Sequence, residues 1–142
     1  MVNILDMRDI RYINLFSRIT KVQTRFCFNY NDTVIFGVTK NQVSKAIGKE
    51  GINVRRINEI LKRKIKIIGN PEDGTQNVAE IKRFIEDIVY PVSFKDIEIT
   101  ENELILNAGS QSKAALIGRQ RRRENELKEI IKDYFKKDLR IV

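Results

Sequence analysis

The sequence predicts an α+β fold made of one small unit written twice, each unit running helix, strand, strand, helix, helix, strand, with a three-stranded sheet covered by helices. Three observations predict it. Shifted by 70 positions the chain overlays itself: Ile47 falls on Ile117, Gly48 on Gly118, Lys49 on Arg119, Ile57 on Leu127, Glu59 on Glu129 and Ile60 on Ile130. The apolar periodicity switches between helical and strand spacing in the same order in both halves. A cluster of breakers, "GNPEDG" (69–74), separates the copies, with Gly69, Pro71 and Gly74 interrupting regular structure. The predicted domains are 1–70 and 71–142.

Each half opens on a helix. Met7, Ile10, Ile13 and Phe16 recur at three-residue steps, and Val78, Ile81, Phe84 and Ile88 at three or four. A strand follows. Val22, Thr24, Phe26 and Phe28 alternate with Gln23, Arg25, Cys27 and Asn29; Ile97 and Ile99 mark the second copy less cleanly. Turns fall at "NYND" (29–32) and "TEN" (100–102). The next strands, "TVIFGV" (33–38) and "ELILNA" (103–108), are more apolar, as befits a strand paired on both edges with little solvent exposure. A short helix, a glycine corner and a longer helix come next. Val54, Ile57 and Leu61 form the buried stripe of the first long helix; Leu127, Ile130, Ile131 and Tyr134 form that of the second. Short strands, "KIKII" (64–68) and "LRIV" (139–142), close the units.

Composition narrows the function. Hydrophobic residues at 42% and charged residues at 32% describe a folded core rather than a disordered chain. No apolar run approaches the roughly 20 residues that cross a bilayer. Asp6 and Asp9 interrupt "MVNILDMRDIRY" where a signal peptide needs an unbroken apolar stretch. Cys27 is the single cysteine, so no internal disulfide forms, and a reducing cytoplasm is the expected compartment. The absence of histidine removes the commonest metal ligand and the commonest general base. No carboxylate cluster stands beside a nucleophile, and Gly48-Lys49 lacks the upstream glycine and the following Ser or Thr of a P-loop. The expectation is a protein that is not an enzyme, with no catalytic residues, no metal, no cofactor, no small-molecule substrate and no membrane partner.

Charge points to a polyanion. The net charge is +8, and residues 1–70 hold 14 Lys and Arg against 5 Asp and Glu, while residues 71–142 hold 13 against 14. The basic excess lies in the first half. The second half is balanced, yet it places Arg119, Arg121, Arg122 and Arg123 within five positions.

The chemistry-bearing element is "IGKEG" (47–51). Two helices meet there with only Gly48, Lys49, Glu50 and Gly51 between them. Glycine takes the dihedrals such a corner needs and lets another backbone approach. The second helix begins at the corner, so its unbonded N–H groups and positive dipole end face outwards, which makes a phosphate site from backbone alone. Lys49 adds a mobile cation at the tip, and Lys40, Lys45, Arg55 and Arg56 lie close enough to follow a chain of phosphates. The bland alternative is a helix corner that uses glycine as punctuation. Its position after two strands, in a basic half, with a copy 70 residues on, favours nucleic acid.

"VSKAIGKEGINVRRINEILKRKIKII" (43–68) resembles the core of a KH domain, with Gly48, Lys49, Glu50 and Gly51 as its Gly-x-x-Gly loop. The element order resembles the type II variant, and two such units in tandem resemble the archaeal NusA-like transcription factors. The resemblance implies single-stranded RNA as partner, RNA polymerase as a further one, and a role in transcription elongation or termination. It implies RNA contacts at Lys45, Gly48, Lys49, Glu50, Gly51, Arg55 and Arg56, and at Gly118, Arg119, Gln120, Arg121, Arg122 and Arg123 of the second copy. A KH-type RNA-binding subunit of the ribosome or of an RNA-processing complex is the alternative.

The second loop departs from the pattern, because Arg121 stands where the first copy has Gly51. A side chain there is expected to stop the second loop from cradling phosphate with bare backbone. Four arginines at a helix start oppose the dipole at roughly 0.3–1 kcal/mol each, a cost that a bound anion relieves. Among the aromatic residues, Phe26, Phe28 and Phe36 are expected in the core, Tyr30 is the best candidate for an exposed stacking ring, and Cys27 is expected half-buried.

Overall fold

The computed structural model describes residues 7–24 and 26–142; Asp6, Arg25 and the side chain of Met7, which enter the sequence reading, lie outside the described residues. The chain divides between Pro71 and Glu72 into two units of one plan. In the first, helix α1 (Met7–Thr20) leads to strands β1 (Phe26–Tyr30) and β2 (Thr33–Val38), helices α2 (Val43–Ile47) and α3 (Ile52–Leu61), and strand β3 (Lys64–Gly69). In the second, α4 (Val78–Val89), β4 (Asp96–Ile99), β5 (Glu103–Asn107), α5 (Lys113–Ile117), α6 (Arg122–Phe135) and β6 (Asp138–Ile141) repeat that order. The sheets are ordered β1-β2-β3 and β4-β5-β6, the first pair antiparallel and the second parallel. The parallel pairs follow from the helices between them, since a parallel crossover needs a dozen or more residues of connection. Asn31 and Asp32, both with positive φ, close the two-residue turn of the first hairpin.

Register sets the core of the first unit. Cys27 lies beside Phe36, and Phe36 beside Ile67, so the three share one face. On that face Phe16 of α1 stacks on Phe36 with ring centroids 4.5 Å apart. Val22, Val34, Val38, Ala46 and Ile57 complete the buried cluster. β2 is buried from Val34 to Val38, as expected of a strand paired on both edges. In the second unit Phe84 of α4 packs on Tyr134 and Phe135 of α6, at 4.6 and 5.9 Å between centroids. Leu104, Leu106, Leu127, Ile130 and Ile131 are buried with it. β5, by contrast, alternates, with only Leu104 and Leu106 of its five residues buried.

The structure corrects several expectations. The first strand begins at Phe26 rather than Val22. Threonine side chains serve the backbone around that start. Val22 N–H donates to Thr20 Oγ1 at 3.1 Å, Phe26 N–H donates to Thr24 Oγ1 at 3.1 Å, and Thr24 Oγ1 donates to Gly37 O. Tyr30 is not an exposed ring: it is 4% exposed, and Cys27 is fully buried at 3%. Phe36 is core as expected, but Phe26 and Phe28 are half-buried, because the face that β1 turns to the helices carries Cys27 instead. Ile10 and Val78, placed in the buried helix stripes by their spacing, are exposed. Gly69 does not break β3 but ends it, paired with Val38; a Cβ there would lie 3.1 Å from Lys40 Cγ.

Candidate nucleic-acid interface

The first loop is a corner built on Gly48. α2 ends there at φ 82, ψ 167, a conformation that is essentially confined to glycine. Its N–H donates to Ser44 O at 3.0 Å and closes the helix. A Cβ on Gly48 would lie 2.9 Å from Asn53 Nδ2 and 3.0 Å from Ile52 Cγ2, so the position has no room for one. A tight turn over Lys49–Gly51 follows, with Glu50 at φ 55, ψ 26 and Gly51 at φ 73, ψ 21. Gly51 N–H donates to Gly48 O at 3.0 Å, and Ile52 N–H donates to Lys49 O. Lys49 and Glu50, between these committed amides, are both exposed.

Two side chains brace the corner from α3. Asn53 Nδ2 donates to Ala46 O at 3.1 Å and to Lys45 O at 3.4 Å, reaching back across the loop to the end of α2. Arg55 Nη1 donates to Glu50 O. The structure thus brings Lys45, Gly48, Lys49, Glu50, Gly51 and Arg55 together at one corner, with Arg56 exposed on the following turn. Arg55 serves the loop's own backbone as well as its charge.

The second loop repeats the first atom path. Gly118 has φ 75, ψ 173, and Gln120 has φ 56, ψ 28, matching Gly48 and Glu50. Arg121 has φ 59, ψ 23, the conformation of Gly51. Arg121 N–H donates to Gly118 O at 3.2 Å, and Arg122 N–H donates to Arg119 O. Arg121 keeps the loop geometry of the first copy while placing a side chain where Gly51 has none. The reason lies in the space around the fourth position: a Cβ on Gly51 meets nothing closer than Arg55 Nη1 at 3.7 Å. Only the left-handed backbone opposes a side chain there, at about 1–2 kcal/mol.

The four arginines have different surroundings. Arg119 and Arg122 are exposed. The Arg121 side chain is 74% exposed and sits 3.5 Å from Glu124 Oε1, whose own side chain is 9% exposed. Glu124 lies in the first turn of α6, where the helix dipole favours a carboxylate. Arg123 is half-buried and turned inward, its Nη1 donating to Ala115 O at 3.1 Å. Asn53 and the inward course of Arg123 escaped the sequence reading. A signal was present: both stand five residues after the first glycine of their loop, and both carry a hydrogen-bond donor.

The electrostatic setting differs between copies. Residues 40–63 hold seven Lys and Arg against two Asp and Glu, whereas residues 110–133 hold seven against four. Asn125 and Glu126 occupy the positions of Arg55 and Arg56, so the basic track beyond the first loop has no counterpart beyond the second. Instead, Gln120, Arg122, Asn125, Glu126 and Glu129 line a shallow open depression of about 360 Å³. Further along α6, burial and then the neighbouring Glu129 carboxylate raise the Asp133 carboxyl above its ordinary range.

Two helices hinged on a glycine corner over a three-stranded sheet, in the type II order and present twice, define a KH protein. A family model described as "NusA-like second KH domain" matches residues 15–74. The "Probable transcription termination protein NusA" of Methanococcus vannielii is 28% identical over 104 residues, covering 72% of this chain and 56% of that protein. The protein so named in Halococcus morrhuae is 28% identical over 93 residues, covering 66% and 62%. That of Methanocaldococcus jannaschii is 30% identical over 93 residues, covering 66% and 47%. The matched part of the chain spans about half to three fifths of these relatives. The crystal structure of APE1850 has the same fold, with a TM-score of 0.66 at 20% identity over 97% of this chain and 100% of that one. Residues 15–74 match a NusA-like KH domain, and the chain as a whole is similar to archaeal proteins of the NusA name.

Proposed function

We propose that this chain is an RNA-binding factor of transcription elongation or termination that grips single-stranded RNA through its two KH domains, 1–70 and 71–142, and acts by binding rather than by catalysis. The observation that carries the reading is the repeated loop: one backbone path, from Gly48 to Gly51 and from Gly118 to Arg121, at the start of a helix and beside exposed cations in both units. The positive end of the helix that starts at each corner favours phosphate, and bases unstacked from a single strand can spread across the adjoining helices. Lys45, Lys49, Arg56, Arg119 and Arg122 supply charge along that path. Gly48, Glu50, Gly51, Gly118, Gln120 and Arg121 form the two loops themselves.

The names of the relatives support the service to transcription, and RNA polymerase is the partner that goes with it. No helix among the described residues is long and apolar enough to cross a membrane, and the cytoplasm is the proposed compartment. The test compares a single-stranded RNA with a hairpin stem of equal length across a salt series. Single strands should bind more tightly, with affinity falling at a log–log slope of roughly −0.7 for each phosphate neutralised. Equal affinity for the stem, or no salt dependence, would overturn the reading. Copurification with ribosomal particles in place of RNA polymerase would transfer the same RNA-binding activity to a ribosomal or RNA-processing role.

A further inference from the structure

Asn53 and Arg123 are 70 residues apart and unlike in chemistry, yet they do one thing. Asn53 Nδ2 donates to Ala46 O and Lys45 O near the C-terminal end of α2, and Arg123 Nη1 donates to Ala115 O near that of α5. The last carbonyls of a helix have no partner within it, so both side chains satisfy acceptors that the corner would otherwise leave open. Both also lie over the first glycine of the loop. A Cβ on Gly48 would come within 2.9 Å of Asn53 Nδ2, and one on Gly118 within 2.9 Å of Arg123 Cγ. Glycine and latch therefore form one device: the absent Cβ makes the space through which the side chain ties the second helix to the first.

We infer that Asn53 and Arg123 are positioning residues that hold the two helices at the angle the loops require, and that Arg123 acts on RNA through loop geometry rather than as a phosphate ligand. Its binding consequences rest on the proposed function; the latch itself does not. The short amide in the first unit and the long guanidinium in the second reach equivalent carbonyls, since residues 45 and 115 correspond. Arg119, exposed at the tip of the same loop, remains a phosphate-facing cation.

The experiment uses the full chain and three variants, Arg123→Asn, Arg123→Ala and Arg119→Ala. It measures affinity for a single-stranded RNA over a salt series, and hydrogen exchange of the Gly118 and Arg121 amides in the free protein. Arg123→Asn installs the latch of the first unit in the second. It should leave affinity within about twofold, with salt slope and amide exchange unchanged. Arg123→Ala should lower affinity about threefold to tenfold, the worth of one intramolecular hydrogen bond, at an unchanged slope and with faster exchange at both amides. Arg119→Ala should reduce the slope by roughly 0.7 without changing exchange. The inference is overturned if Arg123→Asn reduces the slope as Arg119→Ala does, or if Arg123→Ala leaves exchange unchanged. Should Arg123→Ala not fold, Arg123→Asn decides alone, retained affinity and slope supporting the latch and a lost slope refuting it. If RNA binds none of these proteins with a salt-dependent affinity, the proposed function fails, and the exchange rates still decide the latch.

Discussion

Gly51 and Arg121 hold the same backbone conformation, φ 73, ψ 21 in one and φ 59, ψ 23 in the other. A glycine and an arginine thus make the same corner. At the first loop position this exchange is closed off, because Gly48 and Gly118 have side chains 2.9 Å from where a Cβ would sit. At the fourth position the nearest neighbour of that Cβ is 3.7 Å away, which leaves backbone strain as the only obstacle. The second loop is a full copy of the first with charge added at its rim.

The two positions should therefore respond oppositely to substitution. Arg121→Gly removes left-handed strain of about 1–2 kcal/mol and loses the 3.5 Å pairing of the exposed Arg121 guanidinium with the buried Glu124 carboxylate, so the second unit should gain at most about 1 kcal/mol. Gly118→Ala places a Cβ against Arg123 in a conformation foreign to alanine and should cost about 1–3 kcal/mol. Denaturant unfolding of both variants measures the difference; equal effects would contradict the account of the loop.

Gly51→Asp should spare the fold and damage RNA binding. The space at Gly51 admits a side chain, and aspartate tolerates the left-handed region better than most residues. Its carboxylate would face the approaching phosphate. Affinity should fall at least about tenfold, or roughly 1.4 kcal/mol, with a native circular dichroism spectrum. A native spectrum with undiminished affinity would reduce the first loop to a helix corner.

Replacing Arg119, Arg121, Arg122 and Arg123 together by alanine should weaken binding mainly for an RNA long enough to span both units, and should flatten its salt dependence. A short RNA that one unit can hold should keep most of its affinity through the first loop. A small, equal loss on both lengths would indicate diffuse electrostatics. Undiminished binding of both would assign the second loop to another partner.

Asp133 should tie stability to pH in a particular direction. Burial, and then Glu129, raise its folded pKa above the unfolded value, so the ionised form is disfavoured in the fold. The penalty is complete at neutral pH and is relieved as pH falls through the folded pKa. Asp133→Asn should raise the melting temperature at pH 7, and its advantage should shrink as pH falls through the folded pKa and the wild-type carboxyl becomes protonated. An advantage that grows on acidification would refute this assignment.

The sequence by itself determined the plan. The period-70 repeat, the order of helices and strands, the extent of β2 and the two corners are all readable, because periodicity, turn residues and breakers act over a few neighbouring positions. Tertiary structure decided what those neighbours cannot encode. Alternation in β1 announces two faces without saying which one meets the helices; packing turned Cys27 inward and buried Tyr30 as well. The Thr24 hydroxyl accepts from Phe26 N–H and donates to Gly37 O at the place where alternation alone would carry the strand further back. At Arg121, helices fixed on either side impose a backbone conformation that the residue itself disfavours. The latches are the clearest case: the orphan carbonyls at the ends of α2 and α5 come within reach of Asn53 and Arg123 only once α2 meets α3 and α5 meets α6 across the glycine corner, so the two residues acquire a common role from geometry that their chemistry does not share.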